Sequence, residues 1–297
     1  MVVQKWLLLL IAVAIDVFVE YPNLMHPTFW VGSVLAKIDK SYLRKGSEID
    51  LAVGTLSSLV TYALAGLLAL VGCKALMFYP VGAIIYIFLL KSAFSSGLLI
   101  KKVRSCAIDD ESLLRARVSE IVSRDVKLSK SFLYSAAIES GAENLVDSVV
   151  SPLFYYLIFG LPGALIYRAI NTADALIGYR DPTHIKFGKF AAFVDYMANY
   201  LPARIFYFIT FLVYGRGSFK DIRVKKGLRM NGKYPMLLFS KILKLRLVKK
   251  GNYVIGSGRL PEAKDVEKAS VYLILVSYAF IALVVFLSYA FSLPRWC

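Results

Sequence analysis

The sequence predicts an all-α, polytopic integral membrane protein with four firm transmembrane helices and broken or re-entrant helices in the middle. Three observations predict it. Of the 297 residues 58% are hydrophobic and the mean hydropathy is +0.61, whereas a soluble domain holds about half apolar residues. Uncharged runs at 51–73, 75–90 and 269–294 approach or exceed the roughly 20 helical residues that cross a hydrocarbon core. The formal charge of +16 is uneven: residues 216–268 hold 15 Lys plus Arg against 4 Asp plus Glu, a net +11 beside the last span. Basic loops next to spans stay in the cytoplasm, and attraction to anionic lipid headgroups adds to this.

Taken in order, "WLLLLIAVAIDVFV" follows Lys5 and resembles a signal-peptide core, but Asp16 and Glu20 stand where small cleavage-site residues belong. It is read as a retained first span near 6–19. A loop at 20–50 follows, then a hairpin of spans at 51–73 and 75–100. In the polar block 101–147, "DDESLLRARVSEIVSRD" alternates charges at helical spacing, as an exposed helix does. Residues 148–167, "SVVSPLFYYLIFGLPGALIY", are long enough to cross, yet Pro152, Gly160, Pro162 and Gly163 interrupt them. Broken helices at membrane depth line a cavity or re-enter. The apolar stretch 205–215 is too short for a crossing. "GNYVIGSGRLPEAKD" at 251–265 reads as a turn-forming loop, with the last helix starting near Pro261. The resulting divisions are N-terminal transmembrane helices over 1–100, catalytic polar helices with re-entrant apolar segments over 101–215, a basic cytoplasmic loop over 216–268, and a C-terminal transmembrane helix over 269–297.

Several function classes fall away. Cys73, Cys106 and Cys297 are scattered without metal-type spacing and are expected as free thiols; with only His26 and His184 besides, a zinc site is improbable. No P-loop and no dinucleotide fingerprint is present, and "GSG" at 256–258 is too short to bind phosphate by itself. The basic residues flank spans without aromatic interleaving, so nucleic acid is not a partner.

What remains is three polar sets. In "AAIESGAENLVDSVVSP" a helix stacks Glu139, Glu143 and Asp147 on one face, with Ser140, Asn144 and Ser148 beside them. Like charges at that spacing repel, and Lys127 and Lys130 lie too far back to neutralise them. A cation should meet this face; a magnesium or magnesium–nucleotide suits carboxylate and amide oxygens, while a solvated surface helix is the plain alternative. In "AINTADALIGYRDP" Asn171 and Asp174 share a face, and Arg180 and Asp181 follow Gly178. In "FVDYMANYLPAR" Asp195 and Asn199 are four apart and Arg204 lies beyond Pro202. Polar residues in or near apolar segments are expensive and hence presumptively functional.

These residues resemble a known family. "ESGAENLVDSVVSPLFYYLIFGLPGALIYRAINTADALIGYR" with "FGKFAAFVDYMANYLPARI" is similar to the central block of the adenosylcobinamide-phosphate synthases of cobalamin biosynthesis, the CbiB/CobD type. "AIDVFVEYPNLMHPTFWVGSVLAKID", "IVSRD" and "LVKKGNYVIGSGRLPEAKDVEKA" extend the likeness over nearly the whole chain. Two departures stand out: Tyr179 replaces a common His, and the segment before "KLRLVKKGNY" is Lys-rich where the family has small residues. The resemblance implies an integral membrane enzyme that joins a propionate carboxyl of adenosylcobyric acid to aminopropanol or aminopropanol phosphate, with ATP and Mg2+. The product would be adenosylcobinamide or its phosphate.

On that reading Glu139, Glu143 and Asp147 bind the metal, with Glu139 and Glu143 catalytic and Asn144 beside them. Arg180 and Arg204 hold phosphate or carboxylate oxygens bidentately. Asp174 or Asp195 takes the proton from the attacking amine, with Asn171 and Asn199 in the binding set. His26 is either an interfacial residue or a contact to the corrinoid, with imidazole suited to cobalt. The expected location is the cell membrane, multi-pass, with the active site facing the cytoplasm, 168–204 on the inner side and both chain ends outside. The partners are the bilayer and, in the self-associating case, a homo-oligomer. The rival reading is an ion-coupled transporter, which broken helices suit; a lipid-anchored scaffold is the third.

Overall fold

The computed structural model of the chain describes residues 4–44, 47–179, 181–214, 222–224, 228 and 230–293. Its helices are α1 (Lys5–Phe18), α2 (Pro27–Ser41), α3 (Glu48–Ala75), α4 (Val81–Ala93), α5 (Gly97–Arg104), α6 (Glu111–Ser119), α7 (Lys130–Leu145), α8 (Ser151–Ile177), α9 (Lys189–Tyr214), α10 (Lys233–Leu243) and α11 (Ala263–Ala290). Three short strands, β1 (Ile222–Val224), β2 (Leu247–Lys249) and β3 (Tyr253–Ile255), complete the described elements. Two compact units emerge: Met1–Ser95 with Ser151–Asn199 and Ile281–Cys297, and Ser96–Val150 with Tyr200–Phe280.

In the first unit α3 packs on α4 and α8, α2 on α3 and α8, and α1 on α4. Leu8, Leu9, Ala12, Val13 and Asp16 form the buried face of α1, recurring at helical spacing. At 14 residues α1 is about 21 Å long, short of a ~30 Å hydrocarbon core. The expected first span at 6–19 is therefore not among the long apolar helices. Among the described residues four helices are long and apolar enough to cross: Glu48–Phe78, Val81–Arg104, Lys130–Ile177 and Ala263–Ala290. The number agrees with the expectation; the middle segment takes the place of the first. The loop expected at 20–50 also holds α2, which Pro27 opens at a position where a missing N–H costs nothing. The Asp50 carboxylate caps α3, accepting from the Ser47 N–H at 3.3 Å and the Tyr42 hydroxyl at 2.9 Å.

The stretch 130–177 is no single rod. After α7 a π-turn spans Val146–Val150, and α8 breaks at Gly160, where φ 67° and ψ −154° suit glycine almost alone. There the chain doubles back. The rings of Tyr155 and Tyr167 stack with centroids 5.4 Å apart, where twelve residues of straight helix would separate them by about 18 Å. Gly163 permits the approach, since a Cβ there would lie 2.5 Å from the Tyr155 carbonyl oxygen. Pro162 sits inside the break, so its missing N–H removes no bond from a continuous helix. The interruptions read from the sequence thus make a helical hairpin. The stretch 205–215, expected as a separate short piece, is for the most part the C-terminal portion of α9, which continues through Pro202.

In the second unit α7 lies against α5, α6, α10 and β2. The strands form an antiparallel sheet in the order β1-β3-β2. The basic segment 216–268, expected as a loop, therefore contains α10 and this sheet among its described residues. Within "GSG", Gly256 has φ 88°, and a Cβ would meet Ser240 Oγ at 1.9 Å; one on Gly258 would meet the Lys244 carbonyl at 2.0 Å. These glycines serve close packing of chain on chain. Asp265, buried at the start of α11, accepts both Arg259 Nη atoms at 2.7 and 2.8 Å and the Glu262 N–H at 2.9 Å, which fixes the entry to the last apolar helix. The exposed helix expected in 101–147 is α6, capped by Asp110 through the Leu113 N–H, with Leu114 and Val118 turned inward. Cys106 is free and buried, but Cys73 is disulfide-bonded, contrary to the expected free thiol.

Candidate functional site

The acidic face of α7 is not uniform. Glu139 is buried, and its carboxylate meets Arg124 Nη2 at 3.0 Å, the Tyr253 hydroxyl at 2.9 Å and the Ser135 hydroxyl at 2.7 Å. Ser135 Oγ in turn accepts the Val248 N–H at 2.6 Å, tying β2 to α7. Burial, reinforced by the charges of Glu139 and Glu143, raises Tyr253 well above the usual tyrosine range, so its hydroxyl stays a donor. The cation that the stripe requires is Arg124, from "IVSRD". One turn on, Glu143, Asn144, Asp147 and Ser148 are half-buried. The Asn144 amide donates back to the Ser140 carbonyl at 2.9 Å. Asp147 lies in the π-turn, a feature frequent at functional sites.

Glu143 borders the start of α10. A Cβ on Gly232 would lie 2.3 Å from Glu143 Oε1, so only glycine leaves that carboxylate undisturbed. The adjacent Asn231 accepts from Arg204 Nη1 at 3.1 Å. The Arg204 guanidinium also donates to the Tyr200 carbonyl at 2.7 Å and packs over two rings, 3.4 Å from the Tyr200 centroid and 4.8 Å from that of Tyr234. Stacking of this kind holds the planar fork in one orientation.

The first unit contains a separate polar cluster where α8 meets α9. Asn171 and Asn199 both donate to Asp195 Oδ1, at 3.3 and 3.2 Å. Asn199 Oδ1 accepts from Ser151 at 2.6 Å and Tyr167 at 2.8 Å, one from each arm of the hairpin. Arg168 Nη1 donates to Asn171 Oδ1 at 3.1 Å. Five side chains thus orient one buried carboxylate. Asp174, also buried, lies with its Oδ1 over Gly178, where a Cβ would come within 2.0 Å. Beyond it the turn at 181–184 is closed by Asp181, whose bonds from Thr183 and His184 hold its carboxyl below the usual range.

His26 precedes α2, and its Nδ1 is 2.6 Å from Thr28 Oγ1. Burial, with Arg168 and Lys91 nearby, lowers its pKa to about 4, so the imidazole is neutral near pH 7. Lys91 is buried, 3.5 Å from Asp16 and 4.4 Å from the Tyr21 ring centroid. Sequence reasoning missed Lys91, Arg168, Arg124, Tyr253 and Asn231. Lone charges within apolar runs, as at Asp16 and Lys91, were the available signal; Tyr253 and Asn231 had none.

Of the expected site residues, the structure joins Asn171, Asp195 and Asn199 in the first unit. In the second it links Glu143 to Arg204 through adjacent Gly232 and Asn231, and gives Glu139 to Arg124. Arg180 lies outside the described residues. Among the described residues no three His, Cys, Asp or Glu side chains form a metal-holding group. Magnesium needs no such cage, since one or two carboxylates plus substrate phosphates suffice, and the half-buried Glu143 and Asp147 fit that pattern.

A family model described as CobD/Cbib protein matches residues 9–285. A probable cobalamin biosynthesis protein CobD of Pyrococcus furiosus is 43% identical over 269 residues, covering 90% of this chain and 93% of that protein. Proteins of the same name from Thermococcus kodakarensis and Methanocaldococcus jannaschii are 39% and 35% identical, covering 94% and 89% of this chain and 95% and 91% of their own lengths. No solved structure matches the chain. With a model matched over almost its whole length and relatives this similar end to end, the chain belongs to the CobD/Cbib family of cobalamin biosynthesis proteins.

Proposed function

We propose that the chain catalyses ATP-dependent amide formation between a propionate carboxyl of adenosylcobyric acid and aminopropanol or its phosphate. The observation that carries this reading is the second unit's pairing of a fixed guanidinium with a half-buried carboxylate, Arg204 and Glu143 joined through Asn231 and Gly232. A carboxylate at neutral pH is a poor acyl donor. Its oxygen attacks the γ-phosphorus of ATP, ADP leaves, and the amine then attacks the acyl carbon of the acyl phosphate, releasing phosphate and a proton. Arg204 contacts phosphate oxygens through its stacked fork. Glu143 and Asp147 would hold magnesium, which neutralises phosphate charge when bound. Glu139 keeps Arg124 and Tyr253 in place behind them. ATP places the reaction on the cytoplasmic side of the cell membrane, where the net +11 of 216–268 holds that segment.

The chain reconstituted in vesicles should convert adenosylcobyric acid, ATP and aminopropanol phosphate or aminopropanol to the amide, read by mass spectrometry. Glu143→Gln should abolish turnover without loss of folded protein. Ion-coupled uptake by the same vesicles without product would replace this reading with a transporter.

A further inference from the structure

The ion pair between Arg124 and Glu139 is unevenly satisfied. The carboxylate is filled: one oxygen accepts the Ser135 hydroxyl at 2.7 Å, the other the Tyr253 hydroxyl at 2.9 Å and Arg124 Nη2 at 3.0 Å. The guanidinium is not. It carries five N–H donors in a fixed plane, and among the described residues the bond to Glu139 is the one hydrogen bond it makes. Its Nε is buried with no acceptor, in a side chain only 17% exposed. Two other arginines of this unit show what a guanidinium committed to the fold does with its donors. Arg115 gives bonds to the Val126 and Leu128 carbonyls at 2.5 and 3.3 Å and to Glu111 at 2.6 Å. Arg259 gives both Nη atoms to Asp265 and a further bond to the Leu260 carbonyl at 3.0 Å. A buried N–H that has lost water without gaining an acceptor is costly, and such a group in a native fold marks the place of a water or an ion.

The segment that carries Arg124 is itself held in place. Arg115 grips it at Val126 and Leu128, and the Ser140 hydroxyl donates to the Ile121 carbonyl at 2.7 Å. Arg124 therefore meets α7 at Glu139, one helical turn from Glu143, a spacing that sets Cβ atoms roughly 5–6 Å apart. Glu143 in turn borders Gly232, whose neighbour Asn231 takes the Arg204 guanidinium. Two guanidiniums, Arg124 by way of Glu139 and Arg204 by way of Asn231, are thus tied to the surroundings of one half-buried carboxylate. Spare N–H donors in one plane match the oxygens of a phosphoryl group, and a cation would be repelled by them.

We propose that Arg124 is a second phosphoryl-binding guanidinium of this unit, with Glu139, Tyr253 and Ser135 as the residues that position it. This rests on the ligase reading, which supplies two phosphoryl sources, ATP and the amino-alcohol phosphate. Either presents the same oxygens to the Nε and Nη1 donors. Glu139 keeps Nη2 and so sets the plane of the fork before substrate arrives. No proton moves, because the guanidinium is permanently charged.

The test uses the purified full-length chain in a non-ionic detergent. The probes are a non-hydrolysable ATP analogue with magnesium and aminopropanol phosphate; unphosphorylated aminopropanol and adenosylcobyric acid are the controls, all followed by calorimetry. Arg124→Lys keeps the charge opposite Glu139 and removes the fork, so the protein should fold. It should bind at least one phosphorylated probe about tenfold more weakly, the equivalent of ~1.4 kcal/mol, with the controls unchanged. The probe that loses affinity is the one whose phosphate Arg124 holds. Glu139→Gln leaves the guanidinium without its counter-charge and with its spare donors intact, so that probe should raise its melting temperature more than it raises that of the wild type. The site is overturned if the wild type binds neither phosphorylated probe, if folded Arg124→Lys binds both as the wild type does, leaving only a water on Nε, if it loses the controls equally, or if Glu139→Gln gains no more than the wild type. Turnover with adenosylcobyric acid and ATP separates the two readings. Phosphoryl binding weakened by Arg124→Lys with no amide formed by the wild type would remove the ligase and keep the site. Amide formation by Arg124→Lys with an unchanged KM for both ATP and aminopropanol phosphate would keep the ligase and remove the site.

Discussion

The two polar clusters draw on the same side chains and treat their carboxylates differently. In the second unit Glu139 is enclosed by a guanidinium, a tyrosine and a serine, so its charge is spent on holding Arg124 and the β2–β3 edge against α7. In the first unit Asp195 is oriented by two amides, which direct an oxygen without themselves carrying a neutralising charge. Glu143 differs within the same helix, since one turn from Glu139 it is half-buried and its carboxylate lies against Gly232.

The sharpest break of this comparison is on activity. Glu143→Gln and Asp195→Asn should each lower amide formation by at least about 10²–10⁴, the range spanned by lost acid–base or charge-stabilising groups. Both proteins should insert and fold; Glu143→Gln with normal turnover at limiting magnesium would take Glu143 out of the metal set. Glu139→Gln should behave in the opposite manner. It leaves the Arg124 charge buried without its counter-ion, costing about 3–5 kcal/mol of stability, seen as a lower melting temperature, with turnover per folded molecule largely kept. Full stability with lost turnover would reverse the roles of Glu139 and Glu143.

Gly160→Ala tests the hairpin on which the Asp195 network depends. A side chain at φ 67° and ψ −154° should cost about 1–3 kcal/mol and loosen the Ser151 and Tyr167 bonds to Asn199, so stability and turnover should fall together. Arg204→Lys keeps charge and loses the stacked fork; we expect about a tenfold rise in KM for ATP, ~1.4 kcal/mol, and little change in melting temperature. The smallest effect is the pH dependence of His26. Its folded pKa of about 4 lies below the unfolded value near 6.5. Its contribution to stability is therefore fully present above ~6.5 and is lost as pH falls from there toward 4. His26→Gln should flatten the stability profile across that window, and an unchanged profile would place the acid sensitivity elsewhere.

The sequence alone determined the membrane character, because uninterrupted apolar length is a one-dimensional property. It likewise determined the break at Gly160 to Pro162, since glycine and proline act on the backbone where they stand. The three polar sets were visible through lone carboxylates and amides in apolar surroundings, and the motifs across the chain were enough to show family resemblance. The length of α1 and the folded state of the basic segment were not visible, because a run of apolar residues does not mark where a helix stops, and three-residue strands leave almost no period. Tertiary structure alone decided which carboxylate is enclosed and which is half-buried. Helical spacing makes Glu139 and Glu143 equivalent members of one stripe; their difference comes from Tyr253, 114 residues from Glu139, and from Gly232 against Glu143. A side-chain period records only neighbours on the same helix, and the partners that fix the chemistry of a buried charge arrive from elsewhere in the chain.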